Sequence, residues 1–434
     1  MKRALVITYY WPPGSGPGVQ RWLKFCKYMP EFGWEPIVIT VKNGSYPYTD
    51  PSLEKDIPAN ITVIRTRTIE PFSLYNLLRG RKGKTVEVGM GSIRGKKNLL
   101  TSISKFIRGN YFIPDARVGW NRFSLKAARK LISEQAIDAI ITSGPPHSTH
   151  LVGMQLKKEF GLPWFADLRD PWTNVFYYSD FDRTQRSIRK DQELEDLVAN
   201  GATCIITTTF GLEDEFRSRA KKIATIPNGY DDEDFQGINN PDGNADKFTL
   251  SYIGNLKPNQ NPAALWKALE ELLDNPEFKK QFELRLTGNV HSSILEELNR
   301  HNLTENTRIS DFVKHHEAIS QMAVSHLLLL PVPNSPGNSV ILTGKIFEYL
   351  ASRRPILSIG PVHGNAAQVI DECGKDKMID YQDKEAIKKQ IIQYFELFKN
   401  DRKPVTNGNS QFQNFGRKGL TRKLAHLLDQ CIGP

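Results

Sequence analysis

The sequence predicts an α/β protein with two doubly wound, parallel-sheet domains and a cleft between them. Three observations predict this fold class. Short β-branched runs alternate with amphipathic helical stretches along the chain, which is typical of parallel strands covered by helices on both faces. The alternation stops in one Asn-, Asp- and Gly-rich stretch at 229–247 and then restarts. The length of 434 residues suits two domains, because single cores rarely grow beyond ~250–300 residues.

The first domain is predicted over residues 1–238. Strands are predicted where four to six apolar or β-branched residues lie between polar turns, and helices where apolar residues recur every three or four positions. The predicted strands are 4–8, 36–40, 61–66, 138–143, 164–168, 204–209 and 223–227, and the clearest helices are 19–32, 121–134, 150–160 and 185–200.

The second domain is predicted over residues 239–410, with 229–247 as the linker. A last helix at 415–431, within a terminal segment 411–434, is expected to cross back to the first domain. The predicted strands are 248–254, 282–288, 308–313, 326–332, 355–360 and 378–381, and helices are expected to begin at Pro262, Ser292 and Thr343.

The composition indicates a globular protein of the cytoplasm. Hydrophobic residues make up 39% and charged residues 24%, which argues against a disordered chain. No apolar run approaches the ~20 residues that span a bilayer. The apolar N-terminus stops at Pro12 and Pro13, so it is interpreted as a first strand rather than a signal peptide. The four cysteines are isolated, which favours reduced thiols over a zinc site.

Much of the net charge of +10 comes from one segment, residues 79–110. Nine basic residues stand there against one acid, Glu87, with apolar residues interleaved. Such a segment can lie on an anionic membrane surface, and the protein would then be peripheral on the inner face of the plasma membrane. It can equally be a solvated insertion. Nucleic acid is not expected, because no nucleic-acid-binding motif accompanies the charge.

Loops after the strands of the first domain carry the first candidate residues. Gly14, Gly16 and Gly18 precede a helix after the first strand, and glycines there let backbone amides approach a phosphate or a sugar. His147 and His150 follow the fourth strand, and either can bond a substrate, act as a base or simply cap a helix.

After the fifth strand, Asp167 and Asp170 flank Arg169. Two carboxylates and an arginine can orient an acceptor hydroxyl, and the arginine would keep the acids ionised. The alternative is a helix cap with a salt bridge. We take Asp167, Asp170 and His147 as the candidate catalytic residues.

Loops of the second domain supply candidate donor-binding residues. Asn255 and Lys257 follow its first strand, Gly288 and Asn289 the next, and Val313 the one after. These loops are expected to converge, because ligands bind outside the carboxyl ends of parallel strands. The acidic run 231–234 precedes a helix start, and no metal is expected there.

The stretch from Thr343 to Glu348 is the most informative part of the chain. Thr343 and Gly344 open a predicted helix whose amides and dipole suit a phosphate. Lys345 adds a positive charge, and Glu348 lies on the same face and can accept sugar hydroxyls. A diphosphate and a sugar together indicate a nucleotide-sugar. The alternative is an ordinary amphipathic helix.

The order of these motifs resembles family 4 of the retaining glycosyltransferases, which have the GT-B fold of two facing Rossmann-like domains. The resemblance is carried by the Gly-rich loop, IPNGYDDEDF, YIGNLKPNQNP, RLTGN and GKIFEYLASRRPIL. PDARVGW, TSGPPHSTHLVG and DLRDPW are similar to a bacterial subgroup that builds surface polysaccharides. Together the motifs cover nearly the whole chain.

The resemblance implies a nucleotide-diphosphate sugar donor held mainly by the second domain, and no cofactor. Of the two family glutamates seven residues apart, the second matches Glu348, for the donor ribose. The first falls on Val340, so a group near Asn338 or Ser339 would have to substitute. The basic pair on the diphosphate is represented by Lys257 with Lys345 as a replacement, because the family arginine falls on Asn255.

The resemblance also places the catalytic position of the acceptor side near Asp167. We therefore expect a retaining, metal-independent transfer of a sugar to a lipid-linked or glycan acceptor. Two alternatives remain open: a nucleotide-sugar 2-epimerase with the same architecture, and a nucleotide-sugar-binding protein that has lost turnover.

Overall fold

The chain folds into two compact units. The structure, a computed structural model, describes residues 1–46, 48–70, 106–175, 178, 181–236 and 246–432. Unit 1 comprises Met1–Asn228 and Arg417–Pro434, and unit 2 comprises Gly229–Gly416. The expected domain boundary at 238–239 lies outside the described residues, as does most of the basic segment 79–110.

Unit 1 is built on a parallel sheet with strand order β3-β2-β1-β4-β5-β6-β7. Its central strand pairs with strands on both sides, Ile7 aligning with Ile39 of β2 and with Thr142 of β4. The strands are β1 (Lys2–Thr8), β2 (Trp34–Val41), β3 (Thr62–Thr66), β4 (Ala139–Gly144), β5 (Trp164–Leu168), β6 (Cys204–Thr207) and β7 (Ile223–Thr225).

Both faces of this sheet are covered, which explains why its strands are apolar without alternation. Ala4 and Val6 pack into one apolar cluster and Leu5 and Ile7 into another, because successive side chains point to opposite faces. The described helices of unit 1 include α1 (Pro17–Tyr28), α2 (Asn121–Glu134), α3 (Ser148–Phe160), α4 (Gln185–Gly201), α5 (Phe210–Phe216) and α13 (Arg417–Ile432).

The C-terminal helix α13 belongs to unit 1, although 188 residues of unit 2 precede it in the chain. Leu420, Leu424 and Leu428 recur every fourth residue and join the cluster that holds Trp22 of α1. This packing, together with the hydrogen bonds from the Arg417 guanidinium to Asn228 and Gln20, fixes the helix in unit 1.

Unit 2 is a second parallel sheet with order β10-β9-β8-β11-β12. Leu327 and Leu329 of its strand β11 face one apolar cluster, and Leu328 and Leu330 face the other. The strands are β8 (Phe248–Ile253), β9 (Phe282–Thr287), β10 (Thr307–Ser310), β11 (Leu327–Pro331) and β12 (Ile356–Ile359). The helices are α6 (Ala263–Leu273), α7 (Pro276–Gln281), α8 (Ser292–Arg300), α9 (His315–Ala323), α10 (Lys345–Ala351), α11 (Asn365–Glu372) and α12 (Lys384–Asn400).

The predicted doubly wound parallel sheets are confirmed, and two local expectations are corrected. The apolar stretch 378–381 contributes one isolated bridge, between Ile379 and Ile359, instead of a strand. The described start of the expected linker is a folded part of unit 2, because Tyr230 is buried and packs on Phe235 and Phe412.

Candidate functional site

The sheet of unit 2 has its topological switch point between β8 and β11. From β8 the chain winds outward through β9 to β10, and it then returns to β11 and winds the other way to β12. Crossovers therefore leave in opposite directions at this point, which opens a crevice at the carboxyl ends of the two strands. Gly254 follows β8, and the segment 332–344 connects β11 to α10.

Lys345 is the charged group at this switch point. Its ammonium donates to the Tyr252 hydroxyl at 3.1 Å and lies 4.9 Å from the centroid of the Tyr252 ring. The Tyr252 hydroxyl donates in turn to the backbone carbonyl of Asn255 at 2.7 Å. These two consecutive hydrogen bonds fix the position of the Lys345 ammonium at the carboxyl end of β8.

The charge nearest to the Lys345 ammonium that acts on its pKa is the Glu348 carboxylate. The ammonium forms no ion pair with any described residue. Desolvation by the surrounding protein lowers the pKa of Lys345 to about 8, although the nearby Glu348 carboxylate favours the charged form. At neutral pH the group is therefore a desolvated cation held by a neutral phenol, which is an arrangement suited to an anionic ligand.

Two glycines make room for this lysine. Gly254 has a φ of +128°, and a Cβ there would lie 2.2 Å from Cε and 2.7 Å from Nζ of Lys345. At the end of β9, a Cβ on Gly288 would lie 2.6 Å from the carbonyl oxygen of Gly254. A side chain at position 254 would displace the Lys345 side chain, and one at position 288 would displace the backbone of Gly254. Gly288 was predicted from the sequence, whereas Gly254 and Tyr252 were missed.

Glu348 lies one helical turn beyond Lys345, as predicted. The Glu348 carboxylate is 4.0 Å from Nε2 of His315, and the same Nε2 lies 3.0 Å from Oδ2 of Asp234. His315 begins α9, and Asp234 lies in the turn that was expected to be linker. The structure therefore adds His315 and Asp234 to the surroundings of Glu348. Asp234 belongs to the motif IPNGYDDEDF but was not predicted to lie there, and no sequence motif pointed to His315.

The other predicted residues around the switch point differ in exposure. Helix α10 begins at Lys345, so Thr343 and Gly344 precede it, and the Thr343 carbonyl accepts from the Ile346 amide at 3.2 Å. Asn255 offers its carbonyl to Tyr252. Lys257 and Asn289 are exposed, and Val313 is half-buried.

The segment that lacks the family glutamate is a short 3-10 turn, Asn338–Val340. Val340 is half-buried there. The Asn338 side-chain amide donates to the Tyr381 hydroxyl at 2.9 Å, which also bonds the carbonyls of Val332 and Pro333. Asn338 is therefore held by Tyr381, which leaves its side-chain oxygen as the group able to meet a ligand.

In unit 1, Asp167 forms a saturated ion pair inside the protein. Asp167 and Arg21 both have fully buried side chains, with Nη2 of Arg21 2.8 Å from Oδ1 of Asp167. Oδ2 of Asp167 also accepts from the Trp22 indole and the Ser143 hydroxyl, each at 2.7 Å. Arg21 further donates to the carbonyls of Ile226 and Pro227. The position of Asp167 within β5 accounts for this burial, and we no longer place it among groups that contact a substrate.

Arg169 and the Gly-rich loop do meet at the carboxyl end of the unit 1 sheet. The Arg169 guanidinium donates to the carbonyls of Gly144 and Pro145 at 3.1 and 2.7 Å. A Cβ on Gly18 would lie 1.6 Å from Nη1 of Arg169, so a side chain at position 18 would displace the guanidinium. Burial lowers the pKa of Arg169. Its guanidinium and the positive N-terminal end of α1 lie side by side, and both favour an anion.

The remaining predicted residues of unit 1 lie near the same end of the sheet. Gly16 is the N-cap residue of α1, and Gly14 packs against the Tyr46 ring. Asp170 is exposed directly after Arg169. The predicted catalytic residues are thus separated by environment, with Asp170 open to solvent and Asp167 enclosed.

His147 and His150 form a neutral pair over Gly144. The Trp164 indole donates to the Thr142 hydroxyl at 2.8 Å, and this hydroxyl lies 2.9 Å from Nδ1 of His150. In the tautomer in which the Thr142 hydroxyl donates to Nδ1 of His150, the ring proton of His150 lies on Nε2. Burial lowers the pKa of His150 to about 3.

His147 stacks on Trp172 with centroids 4.8 Å apart, and burial also lowers its pKa well below the usual range. Nδ1 of His147 and Nε2 of His150 are buried without a partner among the described residues. A Cβ on Gly144 would lie 3.2 and 2.5 Å from these two atoms. A hydrogen bond to the backbone of Pro171 occupies His147, so its Nδ1 is an acceptor beside the His150 donor. Such a pair fits a hydroxyl group.

Within the described ranges, no three His, Cys, Asp or Glu side chains are grouped so as to hold a metal ion. No helix in the same ranges is long and apolar enough to cross a membrane.

Comparison with known proteins relates unit 2 to enzymes of sugar transfer. Residues 247–396, about a third of the chain, match the family model described as Glycosyl transferases group 1. No curated protein matches the chain in sequence. The family match covers the strands of the switch point together with Lys345 and Glu348.

Solved structures resemble the chain over its whole length. A sucrose-phosphate synthase of Thermosynechococcus elongatus is 15% identical, with 99% of each chain covered and a TM-score of 0.62. A UDP-forming alpha,alpha-trehalose-phosphate synthase of Burkholderia vietnamiensis is 12% identical, with 100% of this chain and 99% of that chain covered and a TM-score of 0.62. A Listeria monocytogenes protein assigned as a UDP-N-acetylglucosamine 2-epimerase is 11% identical, with 98% and 94% covered and a TM-score of 0.53. These likenesses confirm the GT-B fold, and the family match relates residues 247–396 to glycosyltransferases.

Proposed function

We propose that the chain is a retaining, metal-independent family 4 glycosyltransferase of the cytoplasm. It would move a sugar from a nucleotide-diphosphate donor to a lipid-linked or glycan acceptor in bacterial surface-polysaccharide synthesis. The observation that carries the proposal is the Lys345 ammonium, which is desolvated and forms no direct ion pair with a described residue. It lies at the switch point of a sheet that matches the glycosyltransferase model. Its chemistry fits a diphosphate.

The reaction breaks the bond between the anomeric carbon of the donor sugar and the diphosphate oxygen. The bonding electron pair leaves with the diphosphate, so negative charge grows on that oxygen in the transition state. A preorganised cation in a site with little water stabilises such charge more than water does. Lys345 supplies this cation because Tyr252 and Gly254 fix the position of its ammonium.

Glu348 is proposed to accept hydrogen bonds from the donor ribose. Its carboxylate lies 4.0 Å from Nε2 of His315, and the same nitrogen lies 3.0 Å from the Asp234 carboxylate. His315 thus acts as a positioning residue for Glu348. The Asn338 side-chain oxygen or a nearby backbone group would serve the transferred sugar in place of the carboxylate missing at Val340.

The acceptor side is proposed for unit 1. Nε2 of His150 donates and Nδ1 of His147 accepts, so one substrate hydroxyl can satisfy both. Because both imidazoles stay neutral at physiological pH, they orient a hydroxyl rather than store a proton. Asp170 is exposed and can take part in acceptor binding, and Arg169 beside Gly18 suits an anionic group on the acceptor.

A donor screen followed by a transfer assay tests the proposal. Thermal shifts with UDP-, GDP-, dTDP- and CMP-sugars, each with and without magnesium, should show stabilisation by one nucleotide class, independent of magnesium. The selected donor is then given to lipid-linked and oligosaccharide acceptors, and the anomeric configuration of the product is determined. Absence of any shift, or transfer with inversion, would contradict the proposal.

A second candidate function is nucleotide-sugar 2-epimerisation, favoured by the fold likeness to the Listeria protein. An epimerase would convert the donor without an acceptor, whereas a transferase would release the nucleotide diphosphate only with one. The loss of the family carboxylate at Val340 supports a third outcome, binding without turnover, which the same assay separates.

A further inference from the structure

The outer surface of unit 1 carries an apolar segment that is held rigidly. The Asn110 side-chain amide donates to the carbonyls of Phe106 and Asp182, both at 2.8 Å, and its oxygen accepts from the Thr184 amide at 2.7 Å. The Ser187 hydroxyl bonds the Asn110 carbonyl at 3.4 Å. These bonds fasten residues 106–111 to the N-terminal end of α4.

This fastened segment exposes large apolar side chains. Phe106, Ile107 and Tyr111 are 41%, 42% and 74% exposed. The hydrogen bonds of Asn110 hold these three side chains in their exposed positions. Exposing their apolar surface to water is unfavourable in free energy. A contiguous exposed apolar surface of this kind marks an interaction site.

The adjacent end of α4 is basic. Arg186, Arg189 and Lys190 are exposed and share one helix face, and none forms an ion pair with a described residue. The first turn of α4 carries no acid, although the positive end of the helix dipole favours one there. Glu193 is the acid on the same face, one turn further along. The excess of positive charge at this end therefore suits an anionic partner.

The sequence adds charge immediately before the apolar segment. Residues 79–105 contain eight basic residues against the single acid Glu87. Basic and apolar groups side by side fit a lipid bilayer, where rings enter the interface and cations contact anionic headgroups. A nucleic acid would match the charge but leave the apolar side chains uncovered.

We propose that residues 106–111 and 185–190 form a lipid-contact surface that binds unit 1 to an anionic bilayer. This inference goes beyond the proposed function, because it requires neither the donor site nor any transfer. It places the chain where a lipid-linked acceptor would be found.

Sedimentation with vesicles tests the lipid-contact surface. The full chain is spun with vesicles of phosphatidylcholine alone and with vesicles that contain phosphatidylglycerol. We expect binding to the anionic vesicles only, decreasing with salt. The variant Arg186→Glu, Arg189→Glu, Lys190→Glu should bind on the order of a hundredfold more weakly, since each basic residue near the surface contributes roughly fivefold.

A second variant, Phe106→Ser, Ile107→Ser, Tyr111→Ser, should also lose vesicle binding while keeping Asn110 and its hydrogen bonds. The charge-matched control Lys126→Glu, Lys267→Glu, Arg308→Glu changes exposed basic residues elsewhere and should bind like the unaltered chain. The thermal shift with the selected nucleotide should be the same in all of these proteins, which separates this inference from the proposed function.

Three results would overturn the inference. One is equal binding to both vesicle types, and another is full binding by either surface variant. The third is tighter binding of the unaltered chain to DNA or RNA than to anionic vesicles.

Discussion

Asp167 is a fully buried charge in strand β5 of unit 1, and Lys345 is a half-buried charge at the switch point of the unit 2 sheet. Asp167 is surrounded by donors, with a guanidinium, an indole and a hydroxyl on its two oxygens. Lys345 meets a phenol and, within the described residues, no ion-pair partner. The sequence suggested a catalytic role for the first and a ligand contact for the second.

The difference in their hydrogen-bond and ion-pair partners assigns a structural role to Asp167 and a ligand-binding role to Lys345. A buried charge whose partners are complete has nothing left to offer a ligand, and removing one partner destabilises the fold. A desolvated charge that lacks a direct ion pair destabilises the empty protein and is stabilised by an anionic ligand. Substitutions at Asp167 should therefore change stability, and substitutions around Lys345 should change ligand binding.

The largest effect is expected at Asp167. Asp167→Asn keeps the shape but leaves Arg21 buried without its counter-ion, so the free energy of unfolding should fall by about 3–5 kcal/mol. Urea unfolding measures this change. Adding Arg21→Met should recover part of the loss, because the uncompensated charge is removed as well.

The matched control is Glu35→Gln at the Arg3–Glu35 pair, whose side chains are 38% and 40% exposed. This change should cost no more than about 1 kcal/mol. A loss in Asp167→Asn as small as that in Glu35→Gln would show that the Asp167 pair is not structural.

The next effect is expected at Lys345. Lys345→Met removes the cation from the diphosphate, so kcat/KM for the donor should fall about 10²–10³-fold. The same change removes a desolvated charge from the empty protein. Its free energy of unfolding, measured with urea, should therefore stay equal or rise by on the order of 1–3 kcal/mol. Steady-state kinetics and urea unfolding give the two readings.

Lys257→Met is the control for Lys345. Lys257 follows β8, the strand whose end the Lys345 ammonium contacts, but Lys257 is exposed. Its loss should lower kcat/KM less than about tenfold, since water screens an exposed charge. Equal losses in both variants would contradict the special role given to Lys345.

A smaller effect is expected at Gly254. Gly254→Ala places a methyl group against the Lys345 side chain at a positive φ, so it should weaken donor binding and cost about 1–3 kcal/mol of stability. Gly33→Ala has a φ of +83° and no atom within 4 Å of the added methyl group. It should lower stability alone. Calorimetric donor binding distinguishes the two, and unchanged affinity in Gly254→Ala would count against the geometry.

The smallest effect is the pH dependence, which has opposite signs for binding and stability. Donor affinity should be level below pH 8 and fall up to about tenfold per pH unit above it, as Lys345 loses its proton. Between about pH 8 and 10.5 the unfolded chain binds more protons, so the Lys345 contribution to the unfolding free energy should rise. Lys345→Arg should flatten the binding profile, and a level profile in the unaltered chain would contradict the shifted pKa.

Hydrophobic patterning was enough to predict the fold. The predicted strand 164–168 and helix 121–134 have the observed bounds of β5 and α2, because long runs with a clear period leave little choice of face. Composition failed at 230–236, where Tyr230 and Phe235 anchor an otherwise polar stretch to unit 2. The three apolar residues within 378–381 were too few to distinguish a strand from a bridge.

The candidate site was predictable only where one segment carried it. Lys345 and Glu348 share one helix, so their spacing alone placed them together. Tyr252, Gly254 and His315 reach them from other parts of the chain, and single-sequence patterns do not give such tertiary contacts. Asp167 was predicted to contact a substrate because its ion-pair partner, Arg21, is 146 residues away and no local pattern pairs the two.

The most direct test of the central claim is calorimetric binding of the selected nucleoside diphosphate at pH 8, in two buffers with different ionisation enthalpies. With a pKa of about 8, Lys345 is about half protonated there, so binding should take up about half a proton. Lys345→Met should lose both the proton uptake and most of the affinity. If Lys345→Met binds as tightly as the unaltered chain and with the same proton uptake, Lys345 is not the group that holds the diphosphate.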